Sequence, residues 1–334
     1  MPSVVEIHDL TVEARLAKRS QVIVEDFNLD IHEGEVIGVV GESGSGKTTL
    51  VRSLIGLLDK NVSIVGGEVT LLGRRVLARG FDETESVRGS EVGMVFQDAT
   101  RSLDPLFKVR AQMREVLKTH RRDLSRKDME ERMVDVLRRM RITDPERVLS
   151  SYPHQLSGGL NQRVAIALAI VTGPKIVLAD ECTTALDVTT QAEVVALFRE
   201  LVRESGVALV FVTHNILLAA ELCDRVVVMY AGQAVESGPP ERVLKRPHHP
   251  YTAGLLASVP GWEDDRAFQG IAGSAPRISP DTVGCRFADR CFQAENACVA
   301  ADVAWAIASD GGGYRCIKPL ALPEGDAPER LPVA

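Results

Sequence analysis

The sequence predicts an α/β fold: a mostly parallel sheet covered by helices, antiparallel strands ahead of it, and a small cysteine-bearing extension behind. Three observations carry this. The apolar segments "EVIGVV", "VGMVF", "KIVLAD" and "VALVFVTH" recur at long intervals with helical patterns between them, as parallel strands joined by crossovers do. The opening stretches "VVEIHDLTV" and "VIVEDFNLDI" instead alternate apolar and polar residues, the period of half-buried strands. From about residue 236, "ESGPPERVLKRPHHPYTAGLL" and "IAGSAPRISPDTVG" are rich in Pro and Gly, which marks a linker and an extension.

Composition bounds what such a chain does. At 334 residues, 45% hydrophobic and 25% charged, it has the make-up of a water-soluble globular protein with a large core. "MPSVVEIHDL" has no basic segment followed by an apolar run, so no secretory signal is expected. "VALVFV" and "VAIALAIV" are too short to span a bilayer. A net charge of −7 argues against nucleic acid as the main partner. A reducing compartment follows from the missing signal, and there disulfides are rare.

In chain order, residues 3–12 and 20–31 are the expected antiparallel strands. "GESGSGKT" comes next, with an apolar strand before it and a helical pattern after it, the context a phosphate-binding loop requires. Its residues Gly41, Glu42, Ser43, Gly44, Ser45 and Gly46 curl backbone N–H groups around phosphate oxygens. Lys47 neutralises the β- and γ-phosphates, the Thr48 hydroxyl is a candidate Mg²⁺ ligand, and Thr49 beside it is a further candidate nucleotide-binding residue. Within 108–142, Met129, Met133, Leu137 and Met140 recur at helical spacing as a packing stripe, and "SRKD" offers a cap. This segment holds 12 Lys/Arg against 6 Asp/Glu, either a solvated helical face or one turned toward anionic headgroups or a membrane partner. "KIVLADE" ends a strand in Asp180, a carboxylate for the Mg²⁺ shell, with Glu181 placed to orient or deprotonate an attacking water.

"YPHQLSGGLNQRVAIALAI" at 152–170 makes a family visible. With "LSGG" at 156–159, Gln97 in "MVFQD", "ALD" at 185–187 and His214 in "FVTHN", the chain resembles an ATP-binding cassette (ABC) ATPase. The resemblance implies a P-loop fold with a RecA-like mixed-sheet core, an N-terminal antiparallel β portion and a helical signature subdomain. It divides the chain into a cassette, 1–235, with the helical subdomain at about 101–172, and an extension, 236–334. It implies catalysis by Glu181, His214 and Gln97, with Gln97 joining Thr48 at Mg²⁺, and a head-to-tail dimer. There, ATP bound by one subunit is covered by Ser157, Gly158 and Gly159 of its partner.

"ADECTTALDVTTQAEV", "MYAGQAVESGPPERVLKRPHHPYTAGLLASVP" and the cysteine tail narrow the resemblance to ATPase subunits of peptide/nickel-type importers, the oligopeptide and dipeptide permease group. That implies a peripheral protein on the cytoplasmic face of the membrane, working with permease subunits, a second ATPase and, indirectly, a peptide-binding protein. Nickel chelates and glutathione are alternative cargoes. A soluble cassette ATPase acting on nucleic acid or ribosomes is the other class, although such proteins are expected to fuse two cassettes. Three departures stand out. No aromatic precedes Phe27 to stack on adenine, which leaves Ala14 or Arg15 at that place; Cys182 replaces the usual Pro after Glu181; and Asn215 replaces Asp after His214.

Four of the six cysteines, Cys285, Cys291, Cys298 and Cys316, lie in the tail. Their spacing, C-x5-C-x6-C-x17-C, fits the usual zinc patterns poorly and does not by itself separate zinc from iron–sulfur or from scattered buried thiols. The resemblance, through "CRFADRC", implies a [4Fe–4S] cluster ligated by these four, with Arg286, Arg290 and Arg315 offsetting its charge. A redox-sensing tail is a further reading.

Overall fold

The computed structural model describes residues 3–16, 19–184, 186–259, 270–309 and 311–320. Strand β1 (Ser3–Leu16) pairs antiparallel with β2 (Arg19–His32), running from Ser3 opposite His32 to Leu16 opposite Arg19. Both are longer than the alternation alone marks out, because bulges near Asp9 and Asp26 shift the register without ending the pairing. β3 (Val36–Val40), buried throughout, leads into the glycine-rich turn and α1 (Lys47–Ser53). β4 (Val62–Leu71), β5 (Arg74–Ala78) and β6 (Phe81–Asp82) complete a five-stranded antiparallel sheet in the order β2-β1-β4-β5-β6.

β7 (Val92–Val95) opens a helical segment of α2 (Ala99–Ser102), α3 (Val109–His120), α4 (Arg126–Arg139), α5 (Pro145–Ser150) and α6 (Gly158–Ile170). Met113 and Leu117 of α3 meet Met129, Met133 and Leu137 of α4 and the following Met140 in one buried set, so the methionine stripe is packing. Ser125 and Asp128 form the reciprocal capping box read from "SRKD". Much of the basic excess is used internally: Arg110 pairs with Glu130 and Glu146, Arg114 with Glu130, and Arg132 Nε donates to the Val171 carbonyl at 2.9 Å.

β8 (Ile176–Asp180), α7 (Val188–Ser205), β9 (Ala208–Thr213), α8 (Ile216–Leu222), β10 (Arg225–Tyr230) and β11 (Gln233–Gly238) follow. Then come α9 (Pro240–Lys245), α10 (Pro250–Ala257), α11 (Ala297–Ala300), β12 (Ala306–Ile307) and β13 (Gly313–Tyr314). The second sheet has the order β12-β13-β11-β10-β3-β9-β8-β7, parallel from β10 to β7 and antiparallel beyond β10.

Alternation along the parallel strands divides two cores. Val177 and Ala179 of β8 and Leu209 and Phe211 of β9 face the helical side, while Ile176, Leu178, Ala208, Val210 and Val212 face the antiparallel sheet. A strand buried on both faces reads as a continuous apolar run, which is why these segments were conspicuous in the sequence.

Position 236 falls inside β11, and described segments after it are attached to the core. Glu236 is fully buried, paired with Arg242 and accepting the His248 and His249 N–H groups at 2.8 and 3.0 Å. Tyr251, Leu255 and Leu256 of α10 join the helical-side core, and β13 adds to β11. Among the described residues no helix is long and apolar enough to cross a membrane.

Candidate nucleotide site

Register places the motif residues at one level. Val40 lies opposite Thr213, Asp180 opposite Val212, and Val95 opposite Ala179, so Gly41, Glu181, His214 and Gln97 all leave the sheet at its C-terminal edge. Crevices for ligands in parallel sheets form at that edge.

The loop's path depends on two glycines. A Cβ on Gly41 would collide with the Met229 carbonyl. Gly46 has φ +101°, and a Cβ there would stand 2.5 Å from the Ile23 carbonyl oxygen. Ser43 and Gly44, at the outer bend, are exposed; Ser45 is buried and its Oγ lacks a hydrogen-bond partner among the described residues. Lys47 is buried and its Nζ donates to the carbonyls of Gly41 (2.9 Å) and Glu42 (3.0 Å), with Glu181 Oε1 3.4 Å away. Burial pulls the Lys47 ammonium below its ordinary pKa, and Glu181 works against that shift.

Thr48 Oγ1 donates to Asp180 Oδ1 at 2.9 Å. Burial raises the Asp180 carboxyl, and among the described residues its second oxygen makes no hydrogen bond and has Arg52 Nε at 3.6 Å. A hydroxyl beside a buried carboxylate with an unused oxygen suits a hard cation, so Thr48 and Asp180 fit Mg²⁺. Gln97 points differently: its Nε2 donates to Glu181 Oε2 at 3.3 Å.

Glu181 has φ +44°, a left-handed conformation that typically costs a non-glycine residue about 1–2 kcal/mol. Its N–H donates to the Val212 carbonyl at 3.0 Å, holding the turn after β8 against β9. Cys182 behind it is buried, its thiol pushed up to about 12 by desolvation, so it fills space as a neutral group. Exposed His214 follows β9, and Asn215 caps α8 by accepting from Leu217 and Leu218 N–H at 3.0 and 3.2 Å, a role its amide oxygen fills without charge.

Comparison with known proteins supplies the family. The ABC transporter family model matches residues 24–184, and the oligopeptide/dipeptide transporter C-terminal region matches residues 235–298. A protein of Brucella ovis, named as a proposed peptide import ATP-binding protein, is 40% identical over 94% of this chain and 97% of its own length. This chain is an ABC transporter ATPase. A Brucella abortus relative of the same naming is 41% identical over 88% of this chain and 89% of its own. Among solved structures, a dimeric ATP-binding cassette in a post-hydrolysis state with ADP and Pi superposes with TM-score 0.62 at 30% identity, covering 71% of this chain and 98% of that one. CbiO1 of Clostridium perfringens, part of the ABC transporter complex cbiONQ, gives TM-score 0.62 at 26% identity over 73% and 91%.

The ATPase keeps its signature residues apart from its own phosphate loop. Ser157 caps α6 by accepting from Leu160 N–H at 3.3 Å. With Gly158 and Gly159 it lines an open cavity of about 630 Å³ whose other walls include Arg141, Asp187 and Thr190, and no residue of 41–49. Asp187 of the "ALD" motif caps α7 through Thr190; Ala185 lies outside the described residues.

The cysteine expectation is corrected. Among the described residues no group of three or more His, Cys, Asp or Glu is placed to hold a metal ion, and neither matched family description names a cluster. Cys285, Cys291, Cys298 and Cys316 do line one narrow cavity beside α10, of about 10 Å³, room for about one water. Burial raises the Cys285 and Cys291 thiols and pushes Cys316 up to about 11. The flanking arginines have other work. Arg286 pairs with Glu25, Arg315 with Asp26 at 2.8 Å, and Arg290 with Glu42 at 2.8 Å, all on the cassette.

The sequence reading gave Arg290 the role of a cluster counter-charge and passed over Tyr251, and both contact Glu42 inside the phosphate loop. The available signal was an arginine in "CRFADRC" and an aromatic in "HHPYT" with no local partner of their own.

Proposed function

We propose that this ABC ATPase drives import of di- and oligopeptides, hydrolysing ATP on the cytoplasmic face of the membrane beside separate permease subunits and a second ATPase. The convergence of Lys47, Thr48, Asp180, Glu181 and Gln97 at one sheet edge carries the catalytic half of this reading. Lys47 exchanges the Gly41 and Glu42 carbonyls and Glu181 for β- and γ-phosphate oxygens. Thr48 and Asp180 hold Mg²⁺, which screens phosphate charge when bound. Glu181 takes the proton of a water attacking the γ-phosphorus, the bond to the bridging β–γ oxygen breaks, and ADP keeps that oxygen. Gln97 orients Glu181, and His214 acts from the end of β9. Ser157, Gly158 and Gly159 cover the γ-phosphate of ATP held by the partner ATPase, so each site draws on two subunits.

The peptide cargo is supported by the match to the oligopeptide/dipeptide transporter C-terminal region and by the names of the Brucella relatives. We divide the chain into a cassette, 1–235, containing a helical subdomain at about 101–172, and an extension from 236. The test is uptake of a labelled dipeptide and an oligopeptide by cells carrying the wild-type chain or Lys47→Ala. Peptide uptake lost with Lys47→Ala supports the reading. Uptake of nickel chelate or glutathione lost instead, with peptide uptake intact, reassigns the cargo.

A further inference from the structure

Glu42, the second residue of the phosphate loop, is held at three points. Its carbonyl receives Lys47 at 3.0 Å, its N–H donates to Tyr251 Oη at 2.8 Å, and its carboxylate takes both Nη atoms of Arg290 at 2.8 and 3.1 Å. Two of these three partners come from the chain beyond residue 236, and neither is a general feature of a glycine-rich loop.

Arg290 itself is fixed. Its side chain is 7% exposed, its Nε donates to the Ala272 carbonyl at 2.7 Å and Nη2 to that of Ile271 at 3.1 Å, and Nη1 reaches Tyr230 Oη at 3.2 Å. The guanidinium lies 5.6 Å from the Tyr230 ring centroid and 5.9 Å from that of Phe287. Tyr230, Tyr251 and Phe287 form a three-ring cluster with centroids 4.6–5.4 Å apart, so the end of β10, α10 and the cysteine segment share one wall behind the loop. A planar fork set this way grips a carboxylate at two points, which a lysine cannot do.

Attachment of the extension does not depend on this pair. Arg286 on Glu25, Arg315 on Asp26, the bridge from Val22 N–H to the Ile278 carbonyl at 3.0 Å, and β13 on β11 all fasten it elsewhere. The Arg290 pair adds a restraint on the loop, whose outer bend at Ser43 and Gly44 is exposed.

We propose that Arg290 is a positioning residue for ATP binding: by its two-point grip on Glu42, the C-terminal extension holds the phosphate loop in the shape that receives nucleotide. The proposal rests on the reading of Gly41–Thr48 as the phosphate site. Preorganisation of this kind strengthens binding of substrate and transition state alike, so its loss raises KM and leaves kcat in place.

The experiment uses the full chain, with equilibrium binding of a fluorescent ATP analogue plus Mg²⁺ and steady-state ATPase kinetics. Arg290→Gln should weaken binding and raise KM about tenfold, with kcat within about twofold of wild type. Arg290→Lys, keeping charge but losing the fork, should fall between the two. Glu42→Gln should match Arg290→Gln, and the double variant should be no weaker than either single one, since each removes the same pair. Wild-type binding and KM in Arg290→Gln, or additive losses in the double variant, would overturn the proposal. Should Arg290→Gln fail to fold, Glu42→Gln reads the same pair with the extension's aromatic and carbonyl contacts untouched; wild-type binding there overturns the proposal equally. Lys47→Ala separates the two levels. If it binds nucleotide normally, the phosphate-site reading fails and the proposal with it; if it loses binding while Arg290→Gln does not, only the proposal fails.

Discussion

Replacing Glu181 by Gln removes a charge at the centre of the site and should act in opposite directions on binding and turnover. In the structure Glu181 Oε1 lies 3.4 Å from Lys47 Nζ, and Oε2 accepts from Gln97 at 3.3 Å. ATP must displace the first contact to reach Lys47. A hydrogen bond to a charged group contributes about 1.5–3 kcal/mol, and a neutral amide retains part of it, so lifting the competition should tighten MgATP by roughly tenfold, about 1.4 kcal/mol. Turnover moves the other way: without the carboxylate no group accepts the water's proton, a loss on the order of 10²–10⁴-fold. The assay is phosphate release from the purified chain, with MgATP affinity measured on the same preparation. Wild-type phosphate release by Glu181→Gln would refute the base assignment. Slow release with weakened binding would refute the competition between Glu181 and phosphate for Lys47.

Other outcomes follow from the same contacts. Ala14 is buried and Arg15 exposed at the end of β1, with no ring before Phe27, so GTP should bind within about tenfold of ATP in competition measurements; a strong ATP preference would mean another group reads the base. His249 is buried and its pKa is pulled from 6.5 to about 3, so it folds neutral while the unfolded chain protonates; its contribution is whole above pH 6.5 and declines toward pH 3. By pH 5 that loss reaches about 2 kcal/mol in urea denaturation, and His249→Asn, whose amide oxygen can replace Nδ1 as acceptor for Tyr251 N–H, should lack this acid sensitivity. Equal acid sensitivity of the two proteins would assign the loss elsewhere. Gly158 has open space where a Cβ would go, so Gly158→Ala should melt within about 0.5 kcal/mol of wild type yet hydrolyse ATP poorly, because its role lies in covering the partner's nucleotide; full activity would contradict that role.

The parts of the molecule legible in the sequence are those whose cause is local. A buried strand must be apolar along its length, a helix repeats every 3.6 residues, and a phosphate loop needs glycines where the backbone takes positive φ, so β3, β8, β9, the methionine stripe and Gly41–Thr48 could all be placed beforehand. The cassette family was legible for the same reason, its motifs being short and contiguous. What was missed depends on pairs far apart in the chain. Arg290 and Glu42 are 248 residues apart, Arg286 and Glu25 are 261 apart, and nothing near either arginine names a partner. The cysteine tail misled because four thiols in a short segment suggest ligation, while the arginines between them, read as counter-ions for a cluster, were the residues fastening the extension to the cassette. The left-handed backbone of Glu181 was hidden too, since the contact that accompanies it, to the Val212 carbonyl, lies on the neighbouring strand.

The distance between Glu42 and Arg290 along the chain also sets a schedule for synthesis. The glycine-rich turn is translated 248 residues before the guanidinium that grips it. At about 5–20 residues per second, the loop waits roughly ten to fifty seconds on the ribosome before its last support exists. By the end of that interval β1 to β11 have been made and can pair, while the turn between β3 and α1 still lacks its outer anchor. A growing chain would therefore complete its nucleotide-receiving shape only near the end of translation, and products broken off early would be poor competitors for ATP. Limited proteolysis of stalled nascent chains should find the glycine-rich turn open to cleavage until Arg290 has emerged; equal protection at earlier stalling points would show that the turn sets without it.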